Sequence, residues 1–386
     1  MATGPHILAK AVPALLVCAL QAAAAPAPAK PAPHCAPAPA SPRVVNVMAS
    51  PYHAAGNGVK NDTIAIQMAI QEVAGTGGTV LVPAGVYLID ATAQKGRVGL
   101  ALGSRMTLKL DPAAVLKAMP NEAESYSILS IDGVMDVNVV GGTLEGDRPA
   151  HLGTTGEWGM GILIARSSRI VVEGVTARDC WGDGFYVANR STDITLCGVT
   201  GDRNRRQGLS VVGGERVVVR DSTFRNTAGT EPECGIDIEP NPGESVVDLT
   251  ITGCLVQGNR GGGIAGGPAE RYRHSAFFTR SRFLRNQVKG NRNFGIGISA
   301  CEGNTIEGNT IQDTEGYGIL LRSQARNIKV AGNTVTGSRK EGIHLEDCPG
   351  SLVTGNTVTG NPGGGIVSAR FSGATLQGNR EAGNGR

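Results

Sequence analysis

The sequence is poor in aromatic rings. They make up 4% of 386 residues, with two Trp, six Tyr and seven Phe. This speaks against the bulky-side-chain core of an ordinary α/β enzyme of this length. Charge of one sign is lacking too. The net charge is +3 and the charged residues are scattered, so neither nucleic acid nor an acidic membrane surface is an expected partner. None of the eight Cys forms a CxxC pair, and a zinc site is unsupported. Cys18 falls in the N-terminal apolar stretch, and the odd remainder is no disulfide framework. The expectation is small, buried, free thiols inside the core. Long apolar runs are missing except from Ala11 to Ala25, which is short of the ~20 residues of a membrane span. With Lys10 before it and small residues at Ala22 to Ala25, this stretch reads as a signal peptide over residues 1–25. That predicts a secreted or periplasmic protein with no membrane span after cleavage. Residues 26–42, "PAPAKPAPHCAPAPASP", read as an extended linker, and the folded domain as 43–386.

Glycine, by contrast, is abundant, with 56 residues, and it recurs in a pattern. Gly followed by apolar-x-apolar appears at Gly161, Gly184, Gly208, Gly235, Gly263, Gly295, Gly318, Gly342 and Gly365. The spacings are 23, 24, 27, 28, 32, 23, 24 and 23 residues. A second short strand follows most copies, as in "RIVVEGVT" from Arg169 and "NIKVAGNTV" from Asn327. Each unit is strand, turn, strand, turn. One unit cannot bury its own apolar face, but stacked units can, with parallel strands ~4.8 Å apart. Asn309, Asn333, Asn356 and Asn379 recur at nearly the same place, which predicts a ladder of hydrogen-bonded turn amides. A leucine-rich repeat would need a helix-forming half, which is absent.

Upstream, "DTIAIQMAIQEVA" from Asp62 places Ile66, Ala69, Ile70 and Val73 on one helical face behind an N-cap Asp. Such a helix covers the open apolar end of a stack. The segment "GNGVKNDTIAIQMAIQEV…GGTVLVPAGVYLI" resembles the N-terminal part of the pectate-lyase superfamily, and the Gly-apolar-x-apolar units resemble its parallel β-helix repeats, from about Val44 to the C-terminus. The resemblance implies an all-β, right-handed parallel β-helix with an N-terminal capping helix. It also implies a polysaccharide substrate, handled by a lyase, glycoside hydrolase, epimerase or tail-spike depolymerase.

Alternation turns the repeat into a surface map. Counting from each repeat Gly, positions one and three point inward; positions minus one, two and four point outward. The outward residues are Asp183 and Tyr186, then Gln207 and Ser210, then Asp237 and Glu239. Farther along come Tyr317, Arg322, Glu341, His344 and Glu346, of which His344 and Glu346 read as a distal subsite or plain surface. Just before Gly161 lie Arg148, His151, Glu157 and Trp158, and the turn before Gly208 carries Arg203, Arg205 and Arg206. Both Trp, Trp158 and Trp181, fall beside the carboxylates, with Tyr186. Flat rings of this kind stack on sugars. The longer coils from Gly208 to Gly295, including the residues from Pro268, are expected to wall a groove.

Three readings follow. In the first, a glycoside hydrolase needing no cofactor uses Asp237 or Glu239 as general acid and Asp183 as base. Arg148, His151, Glu157, Trp158, Trp181, Tyr186, Arg206 and Gln207 would hold the substrate. Asp183 and Asp237 sit two coils apart, ~10 Å by backbone, within side-chain reach of the ~6.5–9.5 Å separation of inverting carboxyls. The second is a lyase or C5-epimerase on a uronic-acid polymer, with Ca²⁺ on Asp183, Asp237 and Glu239. "GIDIEP" at Gly235 resembles the Gly-Phe-Asp-Pro-His strand of alginate epimerases, with Glu239 where that strand has His. The adjacent Asp-Asp, Gly-His-Gly and Arg-Ile-Lys of polygalacturonases are absent. The third is a non-catalytic carbohydrate-binding or structural β-helix. The first is preferred because it needs only carboxylates.

Overall fold

Short strands at the predicted spacing close into parallel ladders. The computed structural model describes residues 42–269, 277–369 and 371–385, with Met1, Cys35, Pro37, His274 and Ser275. The predicted signal peptide apart from Met1, and the linker apart from Cys35, Pro37 and Pro42, lie outside the described residues. Contacts separate Met1–Pro33 from His34–Arg386, and the architecture below belongs to the second unit.

Most coils give one strand to each of three sheets, of 15, 13 and 11 strands, and every named strand pairing is parallel. The 11-stranded sheet carries the repeat glycines. Its inward residues Ile162, Ile164, Phe185, Val187, Leu209, Val211, Ile236, Ile238, Ile296 and Ile298 are almost fully buried. They fall at positions one and three, as alternation predicts. At the last copy Ser368, on the edge strand of this sheet, is exposed.

The turn ladder forms as expected. Asn309 donates Nδ2 to Asn333 Oδ1, Asn333 to Asn356 and Asn356 to Asn379, each at 2.9 Å. Each of these Oδ1 atoms also accepts the preceding Asn backbone N–H. A second ladder runs outside. Arg169, Arg216 and Arg280 sit at left-handed turn positions with φ of 55°, 56° and 53°. They pair with Asp136, Asp193 and Asp248 one coil earlier.

The helix Thr63–Val73 buries Ile66, Ala69, Ile70 and Val73 in the same core. Asp62 stands at its N-cap position but makes no cap bond. Its carboxylate accepts the N–H groups of Ala55 and Gly56 instead, stitching the incoming loop.

Two expectations are corrected. Cys35 and Cys197 form a disulfide across 162 residues, whereas Cys180, Cys234, Cys254, Cys301 and Cys348 are the buried free thiols expected. Spacing could not reveal a bond made when a distant segment returns to the side of the stack. Of the insertion after Pro268, the described strand runs to another sheet and not along the outward face of the repeat glycines. This strand, Phe277–Thr279, pairs with Ser245–Val247 in the 15-stranded sheet.

Candidate functional site

Strand register sets the order of the outward face. Leu163, Tyr186, Ser210, Asp237, Ala265, Gly297, Leu320 and His344 are successive partners on the 11-stranded sheet. The polar part of this row lies on three adjacent coils, and it is not solvent-facing. Asp183, Gln207 and Ser210 are almost fully buried, and Asp237 is 7% exposed.

Asp183 is the most enclosed. Its Oδ2 accepts from Ser210 Oγ at 2.7 Å and from Arg206 Nη1 at 3.2 Å. Burial pushes this carboxyl up to about 6, against the pull of Arg206 and the Ser210 bond. Arg206 reaches across to Glu157, 3.7 Å away. The expected base is therefore tied to a guanidinium and a hydroxyl, and it does not line the adjoining cleft.

Asp237 does line it. Gln207 bridges two coils here: its Oε1 accepts the Cys234 N–H at 2.7 Å, and its Nε2 donates to Asp237 Oδ2 at 2.9 Å. Burial, then the neighbouring Glu239, push the Asp237 carboxyl up to about 7, with Arg206 opposing and Asp183 adding to the rise. Oδ2 is occupied as an acceptor, so the proton of the neutral acid belongs on Oδ1. Glu239 follows two residues later, about 7 Å along the strand, and lines the same cleft of about 180 Å³. Pro232, from the long turn before Gly235, walls one side, and Phe294 and Arg322 lie beyond.

The other predicted residues form the flank. Trp181 stacks on His151 at 3.9 Å and 17° between planes, and the Arg205 guanidinium lies 3.9 Å from the same ring centre. Two planar groups at that distance cannot share one face. Both faces of Trp181 are thus covered, which corrects its expected role as a sugar platform. The His151 side chain is wholly buried, with Nδ1 2.8 Å from Asp147 Oδ2. Asp147 also accepts from Asn121 and from the Tyr126 hydroxyl. Arg148 donates to the Arg203 carbonyl at 2.6 Å. These three hold the wall. Trp158 is 43% exposed and remains an open ring. Tyr186 bonds Asn241, and burial pushes its hydroxyl up to about 12.

The sequence reading missed Phe294. It occupies position minus one of its coil, an outward position, and pairs directly with Tyr317. A Cβ on Gly262 or Gly297 would meet its ring at 2.2 and 2.8 Å. The ring therefore packs against two glycines, at a distance that a Cβ on either would block.

No three of His, Cys, Asp and Glu among the described residues are placed to hold one metal ion. The Ca²⁺ set of Asp183, Asp237 and Glu239 is thereby corrected: Asp183 is spent on Arg206 and Ser210, leaving two carboxylates. No helix of the described residues is long and apolar enough to cross a membrane.

Comparison with known proteins agrees with the fold. Three family models match: "Rhamnogalacturonase A/epimerase, pectate lyase-like" over residues 44–128, "Right handed beta helix region" over 155–268, and "Periplasmic copper-binding protein (NosD)" over 242–386. The chain is a right-handed parallel β-helix, whose first part is similar to the pectate-lyase-like model. The donor sets that would suit a resident copper ion are not assembled among the described residues.

Two Bacillus subtilis proteins are similar, the uncharacterised YclG (32% identical over 195 residues) and the prophage-derived uncharacterised YorA (27% over 307). The matches take in 44% and 66% of this chain but only 33% and 52% of those proteins. Among solved structures, the mannuronan C-5 epimerase AlgE4 A-module of Azotobacter vinelandii superposes with a TM-score of 0.74 at 18% identity. That match covers 89% of this chain and 97% of the other. The family 28 exopolygalacturonase of Yersinia enterocolitica gives 0.55 at 14%, covering 88% and 78%. At these identities the likeness is one of fold.

Proposed function

We propose that this chain is an exported polysaccharide-degrading enzyme, a glycoside hydrolase with Asp237 as general acid and Glu239 as general base. The observation that carries the reading is Asp237: a carboxyl pushed up to about 7, gripped through one oxygen by Gln207, at the edge of a cleft that also holds a second carboxylate. The Asp237 proton passes to the glycosidic oxygen as the C–O bond breaks. Glu239 takes a proton from the water that attacks the anomeric carbon from the far side. Their backbone positions stand about 7 Å apart along the strand, and ¹H NMR of the first-formed anomer reads whether the course is inverting or retaining. Asp183 and Arg206 act as positioning residues that set the charge around Asp237. Neighbouring carboxyls with separated proton affinities are how one fold supplies both an acid and a base.

In the lyase and epimerase readings a side chain such as Tyr186 or His151 would take the C5 proton. Tyr186 is held protonated well above neutral, and His151 is enclosed beneath Trp181. Both features favour hydrolysis over the lyase and epimerase readings.

The test is a panel of neutral and acidic polysaccharides, followed in parallel for reducing ends, unsaturated-uronate absorbance and exchange of solvent hydrogen into C5. New reducing ends without absorbance, lost in Asp237→Asn, support hydrolysis. Absorbance or C5 exchange overturns it in favour of a lyase or epimerase, and binding without turnover in favour of a binding protein.

A further inference from the structure

Arg169, Arg203, Arg216 and Arg280 on the flanks of this molecule each bind an Asp from the preceding coil. Arg292, Arg322 and Lys340 are placed differently. They line a cleft of about 420 Å³ around Tyr317, and none of the three makes an ion pair with a carboxylate among the described residues. Lys340 Nζ sits 4.7 Å over the Tyr317 ring. Glu315 is the carboxylate lining this cleft, and Glu341 nearby faces His344 Nδ1 at 3.4 Å. Three cations therefore outweigh one acid.

This cleft is continuous with the one at Asp237. Phe294, Leu320 and Arg322 line both. From Asp237 through Ala265 and Gly297 to Leu320 is three strand steps, about 14 Å at ~4.8 Å each. The floor between is the Phe294 ring packed against Gly262 and Gly297. Such a floor accepts the apolar face of a sugar. The two ends differ in charge. Asp237, held as the neutral acid, and Glu239 line the first with Arg322 at the shared border, whereas the second adds Arg292 and Lys340 against Glu315. An anionic sugar is therefore held more strongly at the second end.

We infer that the substrate is a heteropolysaccharide in which a neutral sugar occupies the Asp237–Glu239 end, while an acidic sugar, carrying a carboxylate or sulfate, lies toward Arg292, Arg322 and Lys340. This rests on the polysaccharide reading above and adds the position of the charge. A polymer with an acid on every unit fits the first end poorly, and a neutral polymer leaves the second end unused. Arg322 and Lys340 are specificity residues, because exposed cations of this kind attract charge without touching the bond that breaks.

The test uses the full chain as Asp237→Asn, so that ligand is held and not consumed, on a glycan array. The probes are neutral dextran and curdlan, fully acidic polygalacturonate, and alternating hyaluronan and chondroitin sulfate, within a wider set of mixed neutral–acidic bacterial glycans. The same protein carrying Arg322→Gln and Lys340→Gln is run beside it, at low and high NaCl. The inference expects retention of mixed glycans over homopolymers of either kind, and a loss of about tenfold in the double variant together with most of the salt dependence. Uronate-bearing against sulfate-bearing probes identify the anion. Preference for neutral glycans, equal binding of polygalacturonate, or mixed-glycan binding that ignores the double substitution overturns the inference and leaves the polysaccharide reading standing. Binding to no glycan at all overturns both.

Discussion

A general acid built by burial has a cost in stability, and Asp237→Asn exposes it. In the folded chain this carboxyl is pushed from its ordinary 3.8 up to about 7. Between those values the folded state holds a proton that the unfolded state has released, so stability declines as pH rises through the window and the loss is complete above it. For a carboxyl moved from about 4 to about 7 the full loss is roughly 4 kcal/mol. Sharing of charge with Asp183 makes that figure a ceiling, since both carboxyls resist ionising together. Asn mimics the neutral acid: its Oδ1 accepts the Gln207 amide as Asp237 Oδ2 does, and its amide stands where the acid proton stood. The variant is therefore expected to melt several degrees above the parent at pH 8 and within a degree or so of it at pH 3.5, the gap opening between. Thermal melts by circular dichroism across that range decide it. A shift of equal size at both ends, or a variant that melts lower at pH 8, refutes the burial argument.

Glu239→Gln removes the general base and is expected to lower turnover by roughly 10²–10⁴-fold with little change in melting temperature; reducing-end assays and melts on one preparation check both. Arg206→Gln withdraws the cation that opposes the rise of Asp183 and Asp237, so the basic limb of the pH–rate profile moves to higher pH, whereas a purely structural role leaves the limb in place. Asn333→Ala strips the partner from the buried Asn309 N–H and from the Ile306 carbonyl and is expected to cost roughly 2–4 kcal/mol, measured by denaturant unfolding. Peptide mapping without reductant should recover Cys35 linked to Cys197, and reduction should lower the melting temperature, in line with the roughly 2–4 kcal/mol typical of a disulfide.

What the sequence made legible was periodic. Repeat glycines, alternation and recurring Asn are local patterns, and each has its counterpart in the coils, down to the amide ladder through Asn333. The helix face of Ile66, Ala69, Ile70 and Val73 was legible for the same reason. What escaped depended on where turns lead after they leave the sheet. Alternation marked Asp183 and Asp237 as outward. It could not show that Ser210, Arg206 and Gln207 would close over them, turning surface carboxylates into buried ones. Composition marked Trp181 as a platform, but its neighbours His151 and Arg205 arrive from different loops and cover both faces. Phe294 was within reach of the outward count; its value emerged only once Gly262 and Gly297 were seen against the ring. The Cys35 bond joins positions with no periodic relation.

The central claim is that Asp237 keeps a proton at neutral pH beside an open cleft. The most direct measurement is carboxyl ¹³C NMR of the full chain labelled at Asp, titrated from pH 3 to 9, with Asp237→Asn assigning the resonance. The account predicts a midpoint for Asp237 of about 7, moving upward when Arg206 is replaced. A midpoint near the ordinary 3.8 contradicts it, because a carboxylate already ionised at neutral pH has no proton to give the glycosidic oxygen.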